Sequence, residues 1–379
     1  MTATLSGPSI ADRKQRIREM FKAESHRPVP EELIQKLIFE INNESEVLLV
    51  DAGCVIALSL IGQGHNPDKI FVAEDSEGEY TKLTERLSDI YGFHHIRINV
   101  NKIPPIMKFD YTLANPPFKG QLHLEFLQNA LKISKNVKFI HPSGWLTRSE
   151  KQIEKDVKNL LRNRVFKLTI FNGSPVFSAQ FQAPLVITEA KEAYSGEIEV
   201  YYTNSDNTYY LKSLDSFPTG YWEPSEENYE LRNLITEESN KSNLLSIRTS
   251  NMNSVPLNLP TICGHPVVND ENKLFSDDFY TFFYHNSNIY THENNEGKFY
   301  SLNSEDERNS LVSYLKTKYA RFALALNKAT NRNNVSRYIE NIPLPPLNTI
   351  WTEDSIMEYY GLTQQQKDHI NQFIPTYYK

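Results

Sequence analysis

Short apolar runs alternate with amphipathic stretches along the first half of the chain. Apolar, β-prone runs bounded by turn residues predict buried strands, and longer segments with apolar residues three and four positions apart predict helices. The predicted strands are residues 47–51, 70–74, 95–99, 109–114, 137–141, 165–171 and 183–190, and the predicted helices are residues 55–62, 77–91, 122–134 and 148–162. This alternation predicts an α/β fold built on a doubly wound, Rossmann-like sheet.

The segments on either side of this alternation follow other patterns. Residues 1–45 are amphipathic and predict a helical cover, whereas from residue 204 to 302 the alternation fades and Asn, Ser and Tyr become frequent. Residues 303–327 carry apolar residues at helical spacing and predict one long helix. The predicted domains are therefore an N-terminal cover (1–45), a catalytic domain (46–203), a second region (204–302) and a smaller helical tail (303–379).

Composition places the chain among ordinary globular proteins. Its 379 residues, of which 39% are hydrophobic and 23% are charged, can bury the cores of two domains. The formal net charge is −7, so a nucleic-acid partner would have to bind a local basic patch rather than a global positive field. The charge balance counts mildly against a nucleic-acid enzyme without excluding one.

Cysteine content and hydropathy bear on the compartment. Cys54 and Cys263 are the only cysteines, too few for a disulfide framework or a cysteine-rich zinc site. No apolar run approaches the ~18 residues of a membrane span, and the opening residues lack the apolar core of a signal peptide. These features predict a soluble, cytoplasmic protein with no membrane partner.

The tetrapeptide Asn115-Pro116-Pro117-Phe118 directly follows the predicted strand at 109–114. Its two prolines stiffen the exit from the strand, at the edge of the sheet where such folds bind ligands. The Asn115 side-chain oxygen and the Pro116 carbonyl can both accept hydrogen bonds from an exocyclic amine, and Phe118 can stack on its ring. Two acceptors would aim the nitrogen lone pair at an electrophile. We therefore predict a catalytic grip for a planar amine, with a plain proline-stiffened turn as the alternative.

The turn after the first predicted strand reads Asp51-Ala52-Gly53, where small residues let backbone amides approach a cofactor. A loop for S-adenosylmethionine is expected to read D-x-G-x-G. Here Val55 occupies the second glycine position, and its branched side chain resists positive φ. From these residues alone, an ordinary tight turn and a ligand loop are equally compatible.

Two later strand ends add candidates for cofactor binding. Glu74 and Asp75 lie about 20 residues beyond the glycine turn, where doubly wound sheets place a carboxylate that accepts hydrogen bonds from a ribose diol. Glu74 is the preferred residue, since Asp75 can equally serve as a helix cap. Asn99, after the third predicted strand, lies where the adenine edge of a cofactor can be read, although asparagine there is also a common turn residue.

The order of these motifs resembles that in the methyltransferases that modify adenine at N6 in DNA. The D-x-G turn, the acidic strand end and F-D-x-x-x-x-N-P-P-F are followed by a helix and by the run FIHPSGWL from Phe139 to Leu146. Other segments resemble the methylase part of type IIG restriction-modification enzymes, namely Val165–Leu168, Val176–Phe177, Ala183–Ile187, Tyr314–Thr317, Arg321–Phe322, Ile342–Pro345, Trp351–Asp354 and Tyr360–Thr363. The resemblance covers roughly residues 28–375, and NPPF is its most specific motif.

The resemblance implies a site-specific methyltransferase that acts on double-stranded DNA with S-adenosylmethionine as cofactor. It implies that Asn115, Pro116 and Phe118 hold a flipped adenine. It also implies that Asp51 and Gly53 line the methionine end of the cofactor, that Glu74 binds its ribose, and that residues 204–302 recognise the target. Direct methyl transfer needs no metal. The sequence shows no added acidic nuclease domain, so we expect methylation without cleavage and a separate restriction or partner subunit for any cleavage.

Three other interpretations stay open from the sequence. Enzymes with similar NPPF or NPPY turns methylate adenine or guanine amines in RNA, or a glutamine amide in a protein. A different class is a non-catalytic subunit that keeps the fold for binding DNA or a partner. Val55 favours that class, and the intact tetrapeptide argues against it, because binding alone does not require this turn chemistry.

Overall fold

The computed structural model describes residues 29–50, 53–74, 79–147, 151–177, 184–218, 220, 222–243, 246, 248–250, 261–263, 299–327 and 341–374. The chain divides into two compact units, residues 1–217 and residues 218–379. Each unit has hydrophobic core residues of its own.

Nine strands form one sheet in the first unit. They are β1 (Val47–Val50), β2 (Ile70–Glu74), β3 (His94–Arg97), β4 (Phe109–Ala114), β5 (Ser134–Pro142), β6 (Val165–Phe171), β7 (Leu185–Lys191), β8 (Ile198–Tyr202) and β9 (Asn207–Leu211). Their order is β3-β2-β1-β4-β5-β7-β6-β8-β9. Strands β1 to β5 are parallel, whereas β7 runs antiparallel to both β5 and β6.

Helices cover both faces of this sheet. They are α1 (Glu31–Ile38), α2 (Gly53–Gly62), α3 (Glu79–Tyr91), α4 (Leu122–Ile133), α5 (Gly144–Thr147), α6 (Gln152–Leu161) and α7 (Gly173–Phe177). Side chains alternate along β1, so that Val47 and Leu49 pack with α1 and α2 while Leu48 and Val50 pack with α4 and α6. Every strand and helix predicted in this region is present, and the doubly wound α/β fold is confirmed.

The sheet continues past residue 203, where the sequence predicts the catalytic domain to end. Strand β9 lies within the predicted second region, and it pairs antiparallel with β8. The first compact unit ends only at Phe217. The hairpin at the edge of the sheet was missed because its exposed residues, such as Tyr210, interrupt the apolar pattern that marks the inner strands.

The second unit is mainly helical in the part of the chain that the structure describes. Its helices are α8 (Glu226–Lys241), α9 (Glu305–Lys316), α10 (Lys318–Asn327), α11 (Glu353–Tyr359) and α12 (Gln364–Phe373). A small antiparallel sheet has the order β10 (Arg248–Ser250), β12 (Phe299–Ser301), β11 (Thr261–Cys263). Helix α8 begins after an N-cap at Ser225 and lies within the region whose α/β pattern fades.

The prediction of one long helix over residues 303–327 is wrong. Thr317 adopts an extended conformation, with φ −67° and ψ 151°, and separates α9 from α10. Its hydroxyl donates to the carbonyl of Tyr314 and accepts from the amide of Ala320, so one side chain closes the first helix and caps the second. The apolar spacing continues across the break because both helices bury one face in the same core.

Candidate active site

Strand β4 places the NPPF tetrapeptide at the carboxyl edge in the middle of the sheet. Ala114, the last residue of β4, lies level with Val50 of β1 and Phe139 of β5, and Val50 in turn lies level with Ala73 of β2. The strand order reverses between β1 and β4, which is the position at which open α/β sheets form a ligand crevice. Asn115 follows the last residue of β4, and Glu74 is the last residue of β2. At this edge the two strands are two strand spacings, or about 10 Å, apart.

Asn115 carries an unsatisfied acceptor. Its side chain is half-buried, and the Oδ1 atom is buried with no hydrogen-bond partner among the residues that the structure describes. Buried polar groups are otherwise paired in native proteins, because an unpaired one costs about 1–3 kcal/mol. The site therefore presents an acceptor oxygen that none of the described residues uses.

The remaining residues of the tetrapeptide are held by their surroundings. Pro116 is buried and Pro117 is exposed. The half-buried Phe118 ring packs against the part of the core that α1 and α2 form with one face of the sheet. Its centroid lies 6.4 Å from that of the Phe177 ring in α7, at an interplanar angle of 82°. This edge-to-face contact fixes the orientation of the Phe118 ring.

The turn between β1 and α2 is only partly described, since Asp51 and Ala52 lie outside the described residues. Gly53 is the first residue of α2. Val55 lies within this helix, is 1% exposed, and packs among residues of the core. No positive φ is required of Val55, so the expected conflict between its branched side chain and a second glycine position does not arise.

Glu74 lies at the end of β2 with its carboxylate turned into the protein. The residue is 6% exposed, Thr84 of α3 donates to its Oε1 at 3.1 Å, and His95 Nε2 lies 3.5 Å from its Oε2. Burial lowers the pKa of His95 below its ordinary value. A carboxylate accepts up to about four hydrogen bonds, so these contacts are compatible with a ribose diol as a further donor. Asp75 lies outside the described residues.

Asn99 has a structural role in this fold. It precedes a short 3₁₀ turn, Val100–Lys102, and its side-chain oxygen accepts a hydrogen bond from the amide of Asn101 at 2.8 Å. This is the turn interpretation that the sequence left open. An amide oxygen has two lone pairs, so the expected contact of Asn99 with a cofactor adenine stays a prediction.

A pair of buried histidines was not predicted as a unit. His123 of α4 and His141 of β5 face each other with 3.2 Å between their Nδ1 atoms, and His141 Nε2 lies 2.8 Å from the Thr188 hydroxyl. Burial lowers the pKa of His123 to about 4 and holds that of His141 well below its usual range. The sequence offers no signal that pairs His141 with a helix residue 18 positions earlier.

Within the described ranges, no group of three or more His, Cys, Asp and Glu side chains is arranged to hold a metal ion. No helix in that part of the chain is both long and apolar enough to cross a membrane.

Comparison with known proteins finds similarity in structure alone. No protein-family model matches the chain, and no curated protein sequence matches it. A modification subunit of a type I restriction enzyme from Vibrio vulnificus is 16% identical, with 52% of this chain and 53% of that chain covered and a TM-score of 0.40. The methyltransferase subunit of a type I restriction-modification system from Streptococcus thermophilus is 14% identical, covering 47% of this chain and 48% of that chain with a TM-score of 0.39.

The type IIG restriction endonuclease BpuSI is 11% identical, with 93% of this chain and 63% of that chain covered and a TM-score of 0.44. The chain spans about half the length of the type I subunits that it matches. Restriction-modification proteins of types I and IIG are thus among the structures to which the chain is similar. What the site does has to follow from its own residues.

Proposed function

We propose that the chain transfers a methyl group from S-adenosylmethionine to the N6 amine of adenine in double-stranded DNA. The observation that carries this proposal is the buried, unpaired Oδ1 of Asn115 at the carboxyl end of β4. Such an acceptor is costly in the free protein, and it is satisfied when a ligand brings a hydrogen-bond donor. An exocyclic amine is a donor of that kind.

The neighbouring groups suit an aromatic amine. The Pro116 carbonyl would supply a second acceptor beside Asn115, and two acceptors that bind both amine hydrogens draw the nitrogen lone pair out of conjugation with the ring. When bound, S-adenosylmethionine supplies a methyl group on a positively charged sulfur, which is the electrophile for this lone pair. An amide oxygen is a poor base, so Asn115 holds the amine and the released proton passes to solvent.

The remaining candidate residues are proposed for the cofactor. Glu74 would bind the ribose, with Asp75 beside it, and Asp51, Ala52 and Gly53 would line the methionine end. The helical start at Gly53 supports this placement, because α2 begins directly at the switch point with its amide groups towards the crevice. Asn99 would read the adenine edge of the cofactor, with a side-chain oxygen that also caps the 3₁₀ turn.

DNA is proposed as the substrate because the NPPF context and the C-terminal motifs resemble those of N6-adenine methyltransferases of DNA. A base inside a duplex must leave the stack before its amine can enter the crevice, at a cost of a few kcal/mol. Stacking on Phe118 offsets part of that cost. The proposed reaction is methylation alone, with any cleavage left to a separate partner subunit.

The test is transfer of a labelled methyl group from S-adenosylmethionine to unmethylated genomic DNA, with RNA in parallel. We expect label on DNA adenine, and we expect Asn115→Ala to lower the rate at least about 100-fold because the main acceptor for the amine is gone. Asn136→Ala is the matched control. Its side chain donates to the Asp110 carbonyl and does not adjoin the tetrapeptide, so the variant should keep transfer near the wild-type rate.

Each other outcome has a definite meaning. Label on RNA alone would move the reaction to an RNA amine with the same residues. Label on neither substrate, from protein with native circular dichroism, would overturn the proposal and favour a binding role for the fold. Sequencing of the labelled DNA for modified adenine then maps the recognition site.

A further inference from the structure

The loop between β4 and α4 contains a second buried polar atom without a partner. The side-chain nitrogen of Gln121, Nε2, is buried and has no hydrogen-bond partner among the described residues. Gln121 occupies the N-cap position of α4, yet its side chain makes no cap hydrogen bond. Only its backbone carbonyl serves the helix, by accepting from the amides of Leu124 and Glu125.

The choice of residue at this position is unfavourable for folding alone. N-cap positions favour Ser, Thr, Asp and Asn, whose short side chains satisfy the first amides of a helix. A longer glutamine that leaves those amides and buries its own Nε2 without a partner lowers stability on both counts. Within the described residues nothing satisfies this donor, whereas a bound group that accepts a hydrogen bond would.

Asn115 and Gln121 offer complementary halves of one recognition pattern. Residues 115–121 are all described, and within them the Asn115 oxygen and the Gln121 nitrogen are the buried side-chain polar atoms that lack partners. One accepts and the other donates, and they flank the same short loop. A ligand that contacts both must carry a hydrogen-bond donor and a hydrogen-bond acceptor.

Among the four DNA bases, adenine and cytosine carry an amine next to a ring-nitrogen acceptor on the pairing edge, whereas guanine and thymine carry a carbonyl next to a ring N–H. Flipped bases are commonly read on this edge. We infer that Gln121 is a base-binding residue whose Nε2 donates to N1 of the target adenine while Asn115 accepts from its amine. This assignment rests on the proposed function and names the residue that selects the edge of the base.

The experiment uses synthetic duplexes with the recognition site mapped on genomic DNA. The target adenine is left intact or replaced by 1-deazaadenine, which lacks the N1 acceptor, or by 7-deazaadenine, which keeps it. We expect wild-type kcat/KM to fall roughly tenfold to a hundredfold with 1-deazaadenine, because the buried donor then has no partner. The 7-deaza substitution should leave the ratio near one.

The variant Gln121→Leu supplies the decisive comparison. It should methylate adenine more slowly than the wild type and should treat adenine and 1-deazaadenine alike, within about twofold. The matched control is Gln128→Leu, which replaces another half-buried glutamine of α4 outside the loop and should retain the full discrimination. Because 1-deazaadenine also weakens base pairing, the comparison uses the ratio of the two substrates in each protein, which cancels any easier flipping.

An equal 1-deaza penalty in the wild type and in Gln121→Leu would overturn the assignment while leaving the proposed function intact. A 7-deaza penalty that disappears in the variant would also overturn it, since the contact would then be to N7. If Gln121→Leu does not fold by circular dichroism, Gln121→Met gives the same comparison. Absence of transfer by the wild type to any DNA contradicts the proposed function itself, and the assignment with it.

Discussion

The role that we propose for Asn115 in activity is opposite in sign to the effect of its side chain on stability. A buried oxygen without a partner costs the folded state about 1–3 kcal/mol, and that cost is recovered only when a donor binds. We therefore predict that Asn115→Ala keeps the free energy of unfolding or raises it by up to about 1 kcal/mol. Urea denaturation of the free protein measures this.

The matched comparison is again Asn136→Ala, which removes a side chain with a made hydrogen bond of 2.9 Å to the Asp110 carbonyl. That variant should lower the free energy of unfolding by about 1 kcal/mol. A loss of stability in Asn115→Ala as large as that in Asn136→Ala would mean that Oδ1 has a partner in the free protein and is not held ready for a ligand.

The buried histidine pair predicts a dependence of stability on pH. Its other close contacts are the Thr188 hydroxyl and the rings of Phe139 and Trp145, none of which carries a charge that would favour protonation. The pKa values of both rings are lowered in the folded protein, to about 4 for His123, so the unfolded chain binds more protons below pH 6.5. Stability is thus complete above pH 6.5 and is lost as the pH falls towards about 4.

For each histidine that is protonated only on unfolding, this loss approaches about 1.4 kcal/mol per pH unit. Urea unfolding at several pH values should give a shallower slope for the double variant His123→Gln/His141→Gln than for the wild type. If the double variant keeps the wild-type slope, the two histidines bind protons equally in the folded and in the unfolded protein, and the prediction is wrong.

At this scale the sequence suggests the residues whose chemistry is local. Asn115 could be proposed as a site residue because the tetrapeptide is contiguous and follows a clear strand. Gln121 could not be proposed from the sequence, because a glutamine after a glycine has no special pattern until its Nε2 is seen to be buried without a partner among the described residues. His123 and His141 were missed as a pair because only the packing of α4 on β5 brings them together.

Among the elements, the connection from α4 into β5 depends on one arginine. Arg164, at the start of β6, donates to the carbonyls of Leu131 and Ser134 at the end of α4 and of Lys191 at the end of β7. The last carbonyls of a helix have no partner within it, and the planar guanidinium fork satisfies several acceptors at once. Arg164 thereby holds the far end of the helix whose first turn follows the NPPF loop.

We predict that Arg164→Lys lowers the free energy of unfolding by about 2–4 kcal/mol, because a lysine cannot reach these carbonyls together. Thermal or urea unfolding measures the loss. Arg162→Lys is the control two residues away, where an exposed ion pair with Asp215 should change stability by less than about 1 kcal/mol. Similar losses in both variants would show that the carbonyl contacts of Arg164 add little.

Helices and strands were predicted well where burial sets the spacing of apolar residues along the chain, and poorly where it does not. The inner strands are buried on both sides, so their apolar runs are unambiguous. Leu311, Leu315, Phe322 and Leu326 keep a helical period through Thr317, and periodicity alone cannot reveal a break that preserves the buried face. The available signal for the break was Thr317, a β-branched residue whose hydroxyl can cap a helix, and this signal is weak.

For the whole molecule, the prediction of a doubly wound sheet followed from alternation alone, because strands that alternate with helices have few other ways to bury both faces. The extent of the first unit was harder to predict. Strand β8 pairs parallel with β6, and β9 pairs antiparallel with β8, so these two strands extend the sheet. No local sequence pattern distinguishes such a hairpin from one that belongs to a separate region.

The position of Asn115 directly after β4 also limits which changes of chain length the protein can accept. Side chains of a strand alternate between its faces, and β4 is paired on both sides. Inserting or deleting one residue between Phe109 and Ala114 would either shift the register of β4 against both neighbouring strands or turn the Asn115 side chain to the opposite face of the sheet. The edge strands β3 and β9 are paired on one side only, so a change in their length disturbs one ladder rather than two. Any descendant that keeps Asn115 at this position must inherit the number of residues from Phe109 to Asn115 unchanged.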